Sequence, residues 1–295
     1  MLKHRVPSGI AMVAGLLLLI WGDDRLGASG AVRPGLLLLL AVLAVLVLAS
    51  IELAALLRSK YGRAHAPVLY LGAAAGVIAT YAGPQMPNPR TAAAAFATAV
   101  AGVMLTALVV HSFRRRDCRG GTTAGGSALF ALGYLGVLPG LYLLLRAGGP
   151  GVAFSSWVIA AVIMVTKCCD IGAYFTGRFL GRHKLIPWLS PGKTVEGLLG
   201  GMAFAAVWAV VFALIGAHFA PHRAIPWWYA AVAGLLLGFL GQVGDLLASL
   251  LKRDAGLKDW AKTIPGFGGV MDVADSLLLV APAAYWLLTL APRAH

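Results

Sequence analysis

The sequence predicts an all-α fold: a polytopic integral membrane protein with about nine transmembrane helices. Of the 295 residues 60% are apolar and only 12% are charged. Mean hydropathy is +0.84, and the apolar residues are gathered into long runs instead of recurring at helical or strand spacing. A soluble domain carries about 25% charged residues, so a soluble enzyme, a disordered tail and a disulfide scaffold are excluded. Three cysteines, with Cys168 and Cys169 adjacent, form no useful framework, and no Cys/His spacing resembles a zinc site. They read as small core residues.

A span needs about 20 apolar residues. Taking charged or Pro/Gly-rich stretches as loops gives candidates at 6–21, 35–57, 67–81, 91–112, 127–145, 152–177, 195–219, 227–251 and 270–290. The first, with Lys3 and Arg5 ahead of it and small residues at 28–31, also resembles a secretory signal peptide. Eight further apolar stretches follow, which favours a retained span.

The net charge of +13 would suit nucleic acid, but basic residues in an apolar chain first orient helices in the bilayer. Starting from an inside N terminus, one side receives the clusters Lys3/Arg5, Arg58/Lys60/Arg63, Arg114–Arg116 with Arg119, Arg178/Arg182/Lys184/Lys193 and Lys252/Arg253/Lys258/Lys262. The other receives single arginines at 25, 33, 90, 146, 223 and 293. The expected topology is therefore N terminus inside and C terminus outside, and no nucleic-acid partner is expected. Residues 1–150 form an N-terminal set of about five spans. Residues 151–295 are expected to form a C-terminal transmembrane region with cytoplasmic loops 178–194 and 252–269.

The chain has eleven carboxylates. Asp23, Asp24 and Asp117 fall in expected loops, and Glu52, near the inner end of the second span, is expected to reach the interface or pair with Arg58 and to carry no function. The others lie after 165. Asp170, Glu196, Asp245, Asp272 and Asp275 are inside or at the ends of apparent spans, where an ionisable group costs about 2.5–3.5 kcal/mol and marks a functional site by default. Neutralisation by Lys167, itself within a span, is the competing explanation. Asp272 and Asp275 share a helix face and repel unless a cation or base lies between them. Oxygen donors without thiolates or an imidazole cluster favour Mg²⁺.

Two loops carry polar motifs. Residues 177–197 read GRFLGRHKLIPWLSPGKTVEG. Ser190 suits an N-cap and Pro191 a first helical position, making a helix start with Lys193 and Thr194 an anion site; a basic loop against anionic headgroups explains it equally well. Residues 252–269 read KRDAGLKDWAKTIPGFGG. Its glycines permit a tight turn ahead of the two-Asp helix, read either as a phosphate-coordinating loop or as a simple turn back into the membrane.

Asp170-Ile-Gly-Ala-Tyr174, Gly181-Arg-His-Lys184, Ser190-Pro-Gly-Lys-Thr194 and Gly197 resemble the first cytoplasmic motif of the phosphatidate cytidylyltransferases, or CDP-diacylglycerol synthases. Gly244-Asp245, Ser249-x-x-Lys252-Arg253, Lys258-Asp259, Pro265-Gly266, Gly268-Gly269, Asp272 and Asp275 resemble that family's C-terminal signature. Phe267 stands where the family usually has His, and Val273 where it usually has Arg. The resemblance implies cytidylyl transfer from CTP to phosphatidate, giving CDP-diacylglycerol and pyrophosphate at a bacterial-type inner membrane. The alternatives are a nucleotidyltransferase for another lipid phosphate and a degenerate member serving as a membrane subunit. It further implies Asp245, Asp272 and Asp275 as Mg²⁺ ligands, with Lys252 and Arg253 in the catalytic set, and leaves room for a second, monovalent cation. Asp170, His183, Lys184, Ser190, Lys193, Thr194, Lys258, Asp259, Gly268 and Gly269 are the implied nucleotide and phosphate contacts. A homo-oligomer is compatible with the sequence.

Overall fold

The computed structural model describes residues 2–30, 32–62, 64–116, 119–147, 156–219, 224–264, 266 and 268–292. Expectations that fall on Arg63, Asp117, Cys118, Arg223, Pro265, Phe267 and Arg293 lie outside the described residues. The elements are almost all helical. They are α1 (Leu2–Ala28), α2 (Leu36–Tyr61), α3 (Ala66–Ala82), α4 (Pro89–Arg115), α5 (Gly121–Ala131), α6 (Leu138–Ala147), α7 (Ser156–Phe179), α8 (Val195–Phe219), α9 (Trp227–Asp254) and α10 (Val270–Thr289). A short 3₁₀ turn at Gly83–Gln85 follows α3, and a π-helical turn at Leu132–Val137 joins α5 to α6 into one rod. Strands β1 (Lys184–Ile186) and β2 (Ser190–Thr194) pair antiparallel between α7 and α8.

Among the described residues eight helical stretches are long and apolar enough to cross a membrane, α5 and α6 counting together as Gly121–Arg146. The protein is thus an all-α integral membrane protein. α1 adds a ninth long helix and runs beyond its expected end, so that Asp23 and Asp24 sit within it and not in a loop. Its extension has a physical cause. Asp23 is fully buried, forms an ion pair with Arg146 (Nε to Oδ2, 2.9 Å) and accepts hydrogen bonds from the Gly35 and Leu37 N–H groups at the start of α2. Asp24 pairs with the same arginine at 2.8 Å. Helix ends carry local signals too. Asn88 caps α4 in a reciprocal capping box with Thr91, ahead of Pro89.

The chain divides into two compact units, Met1–Phe154 with Asp254–Val273, and Ser155–Arg253 with Ala274–His295. The last loop therefore belongs with the N-terminal helices, and the division falls within α10. In the first unit α3 packs against the fifth span through small residues. A Cβ on Gly76 would stand 2.5 Å from the Leu132 carbonyl oxygen, and one on Gly136 2.5 Å from that of Ala73. Membrane helices gain van der Waals contact by such backbone approach. In the second unit α7 lies along α8, around Val165, Cys169 and Ala205. Few residues along α4 and α8 are buried, leaving their apolar faces to lipid.

Candidate active site

The second unit gathers its polar groups at one end of α7, α8 and α9. Asp170 on α7 lies one turn after Lys167, whose Nζ is 3.5 Å from Asp170 Oδ2 and donates to Ser276 Oγ at 2.9 Å. Gln242 on α9 donates from Nε2 to Asp170 Oδ1 at 2.9 Å. One turn further on, Asp245 Oδ2 is 2.9 Å from Lys193 Nζ, which also donates to the Gln242 carbonyl. A chain of alternating charge results, running from Ser276 and Lys167 through Asp170 and Gln242 to Lys193 and Asp245. Asp275 is buried on α10 beside it, and its charge interacts with those of Asp245, Lys167 and Lys252. The approach depends on Gly244, where a Cβ would stand 2.8 Å from the Asp275 carbonyl oxygen.

Asp170, Lys193, Thr194, Gln242 and Asp245 line a cavity of about 400 Å³, together with Tyr174, Arg178 and the main chain at Gly177, Gly192 and Gly197. The hairpin forms part of its wall, and here the structure differs from the sequence reading. Ser190 and Pro191 do not start a helix; they belong to β2, with Ser190 opposite Ile186 and Thr194 opposite Lys184. Helix α8 begins at Val195 because Thr194 is its cap, its Oγ1 accepting from the Gly197 N–H at 3.0 Å. Glu196 closes the hairpin by accepting from the N–H groups of Arg182 and His183 and by binding His183 Nδ1 at 2.7 Å. His183 and Lys184 are otherwise exposed.

The first unit holds Lys258, Asp259, Gly268, Gly269 and Asp272 of the expected site residues. Asp272 Oδ2 accepts from the N–H groups of Trp260 (3.1 Å) and Gly269 (2.9 Å). Ile264 and Gly268 exchange both backbone hydrogen bonds, closing the turn. Gly268 has φ +103°, and a Cβ there would stand 2.6 Å from Asp272 Oδ2, so glycine is required on both counts. Glu52 is 2% exposed and does not pair with Arg58. Its carboxylate accepts from Thr263 Oγ1 and from the N–H groups of Val270 and Met271. The N–H groups of residues 268 to 271 are thus each held by a protein acceptor. Lys258 and Asp259 are exposed, Lys252 is buried in the second unit and Arg253 is exposed. Val273, where Arg was the usual residue, is half-buried.

Among the described residues no group of three His, Cys, Asp or Glu side chains is arranged to hold a metal by itself. Asp245 interacts electrostatically with both Asp170 and Asp275, which gives a set of hard oxygen donors with two lysines close by. That set fits Mg²⁺, which keeps several waters and takes one or two carboxylates plus substrate phosphates, and not a fully protein-caged ion. Gln242 and Ser276 were missed in the sequence. A lone Gln three residues before Asp245 in an apolar helix was the available signal.

Fold and site together define a polytopic membrane protein with a cavity of paired carboxylates and ammonium groups, a set suited to phosphate chemistry. The chain belongs to the Cytidylyltransferase family, whose model matches residues 3–291. It is 46% identical over 121 residues to a phosphatidate cytidylyltransferase of Bacillus subtilis, covering 41% of this chain and 43% of that protein. To the phosphatidate cytidylyltransferase of a Synechocystis species it is 35% identical over 189 residues, covering 56% and 62%. To that of Chlamydia pneumoniae it is 36% identical over 201 residues, covering 65% and 64%. The chain therefore spans between 43% and 64% of the length of these relatives.

Proposed function

We propose that this chain transfers the cytidylyl group of CTP to phosphatidate, giving CDP-diacylglycerol and pyrophosphate. The observation that carries the reading is the Lys193–Asp245 pair in the cavity of the second unit, within a chain of the cytidylyltransferase family. A phosphate oxygen of phosphatidate attacks the α-phosphorus of CTP. The new P–O bond forms as the bond to the bridging oxygen of the β-phosphate breaks, and pyrophosphate departs. No side-chain nucleophile is needed; the protein must hold two polyanions in line and neutralise charge.

Lys193 contacts the nucleotide phosphates, released from Asp245 when these arrive. Gln242 and Lys167 orient Asp170, while Thr194 and the hairpin hold Lys193 in place. Mg²⁺ would be held by Asp245 and Asp275, with Asp170 close by, and would neutralise charge on the transferred and leaving phosphates. The sequence reading of Asp272 as a further ligand stays with this proposal, as do phosphate contacts from Lys252, Arg253 and Lys258. The cavity faces the cytoplasm of a bacterial inner membrane, with the N terminus inside and the C terminus outside. The acyl chains of the substrate remain in the lipid.

The full chain, purified into lipid nanodiscs and supplied with CTP, Mg²⁺ and phosphatidate, is expected to release pyrophosphate and form CDP-diacylglycerol in equal amounts. Release that proceeds with another lipid phosphate but not with phosphatidate overturns the substrate assignment. No release with any lipid phosphate overturns the enzyme reading.

A further inference from the structure

Glu52 belongs to no motif, lies some 200 residues from the C-terminal signature, and its buried carboxylate accepts three hydrogen bonds. Oε1 accepts from Thr263 Oγ1 at 2.6 Å and from the Val270 N–H at 2.8 Å, and Oε2 accepts from the Met271 N–H at 2.9 Å. Burying a carboxylate in a span is costly unless donors are supplied. Here the donors come from the turn and from the first two residues of α10. Unbonded N–H groups at a helix start attract an anion, and at α10 that anion is Glu52.

Gly269 supplies the steric counterpart. A Cβ built there would stand 2.4 Å from Glu52 Oε2, inside any allowed contact. No positive φ restricts Gly269, so the side chain of Glu52 is what excludes a larger residue. Meanwhile Asp272 ties Trp260 to Gly269, and Ile264 ties to Gly268. The segment 260–272 is thereby held at both ends, by Asp272 from within and by Glu52 from α2.

We propose that Glu52 is a positioning residue for cytidylyl transfer, holding the glycine-rich turn and the start of α10 in the conformation that nucleotide binding requires. The inference rests on the function proposed above. It assigns a reaction role to the N-terminal helices: α2 supplies the carboxylate that orders the signature turn.

The test compares Glu52→Gln, Glu52→Ala, Thr263→Ala, Gly269→Ala and the Glu52→Ala/Gly269→Ala double variant as full chains in nanodiscs. Loss of a hydrogen bond to a charged acceptor predicts about a tenfold rise in the KM for CTP in Glu52→Gln, with the KM for phosphatidate changed less than about twofold. Amide exchange at Val270 and Met271 should accelerate in step. Gly269→Ala should be as damaging as Glu52→Ala, yet add less than about twofold in its background, because the clash it creates is gone. If Glu52→Gln does not fold, Thr263→Ala, which leaves both N–H bonds intact, should still raise the KM for CTP by about threefold.

Unchanged CTP kinetics in folded variants overturn the proposal, and so does accelerated exchange with wild-type kinetics, which would make the clasp a stability element only. Additive loss in the double variant also overturns it. Should the wild-type chain form no CDP-diacylglycerol, the cytidylyl-transfer reading fails on its own. The role of Glu52 is then decided by amide exchange and by direct binding of Mg²⁺–CTP, with an unchanged Kd in Glu52→Gln counting against it.

Discussion

The two units treat the acids within their helices differently: Asp23 and Glu52 are buried, whereas Asp170 and Asp245 are half-buried. In the first, Asp23 and Glu52 have donors converging on them: Asp23 meets a guanidinium and two backbone N–H groups, Glu52 a hydroxyl and two backbone N–H groups. In the second, Asp170 and Asp245 are balanced mainly by Lys167, Lys193 and the amide of Gln242, beside a cavity. A backbone N–H cannot leave its acceptor without moving the chain. An ammonium on a flexible stem can exchange a carboxylate for a phosphate at little cost. The first arrangement fixes structure and the second is able to take part in a reaction.

The largest expected effect is on the exchangeable side. Asp245→Asn should lower pyrophosphate release by about a hundredfold or more at fixed Mg²⁺, since charge stabilisation at the reacting phosphates is the main contribution available. Folding, followed by monodispersity and melting, should be nearly unaffected. A comparable loss from Asp117→Asn would place the chemistry elsewhere.

Next comes the fixed side. Arg146→Ala leaves Asp23 buried without its counter-ion, which should cost about 3 kcal/mol of stability. The measure is unfolding by SDS titration, with both KM values of the folded fraction unchanged. A kinetic defect without a stability loss would reverse the roles assigned to the two kinds of acid.

The smallest effect sharpens the comparison. Val273→Arg and Phe267→His restore cationic or donor groups usual in the family, so the carboxylates would need less metal for neutralisation. The double variant should reach half-maximal rate at about a threefold lower Mg²⁺ concentration, with the saturated rate changed less. A natural chain inactive at every Mg²⁺ concentration, and rescued by the double variant, would identify it as a degenerate member.

Much of the fold was legible because span length and apolar content are properties of single stretches, which sequence reports directly. Helices α2 to α4 and α7 to α10 fall where apolar runs placed them. The ends of α1 were not legible, since Asp23 and Asp24 read as loop residues until Arg146, more than a hundred positions away, is seen to neutralise them. The hairpin was misread for a similar reason: Ser190-Pro191 has the composition of a helix start, and the helix is displaced to Val195 by the pairing with Lys184–Ile186 and by Glu196. The structure brings Asp170, Lys193, Thr194 and Asp245 to one cavity; the two acids stand out in the sequence as charges in apolar helices, and Lys193 and Thr194 through the polar motif of the loop 177–197. Glu52 reads in the sequence as an interfacial acid or a partner of Arg58, because its donors lie in a distant loop.

The π-turn at Leu132–Val137 has a consequence for how this chain tolerates insertions and deletions. A π-turn holds one residue more than a regular helical turn, so it takes up that residue without changing the phase between the faces of α5 and α6. Deleting one residue within 132–137 would remove the extra residue and leave an unbroken α-helix with its flanking faces still in phase, whereas deleting one in the regular turns of α6 before Arg146 would rotate everything after it by about 100°. Arg146 would then swing off the side on which Asp23 and Asp24 stand. Taking up the extra residue in the π-turn keeps the two halves of this rod in register with different neighbours, the first half with the glycine face of α3 at Gly72 and Gly76 and the second with the acids of α1.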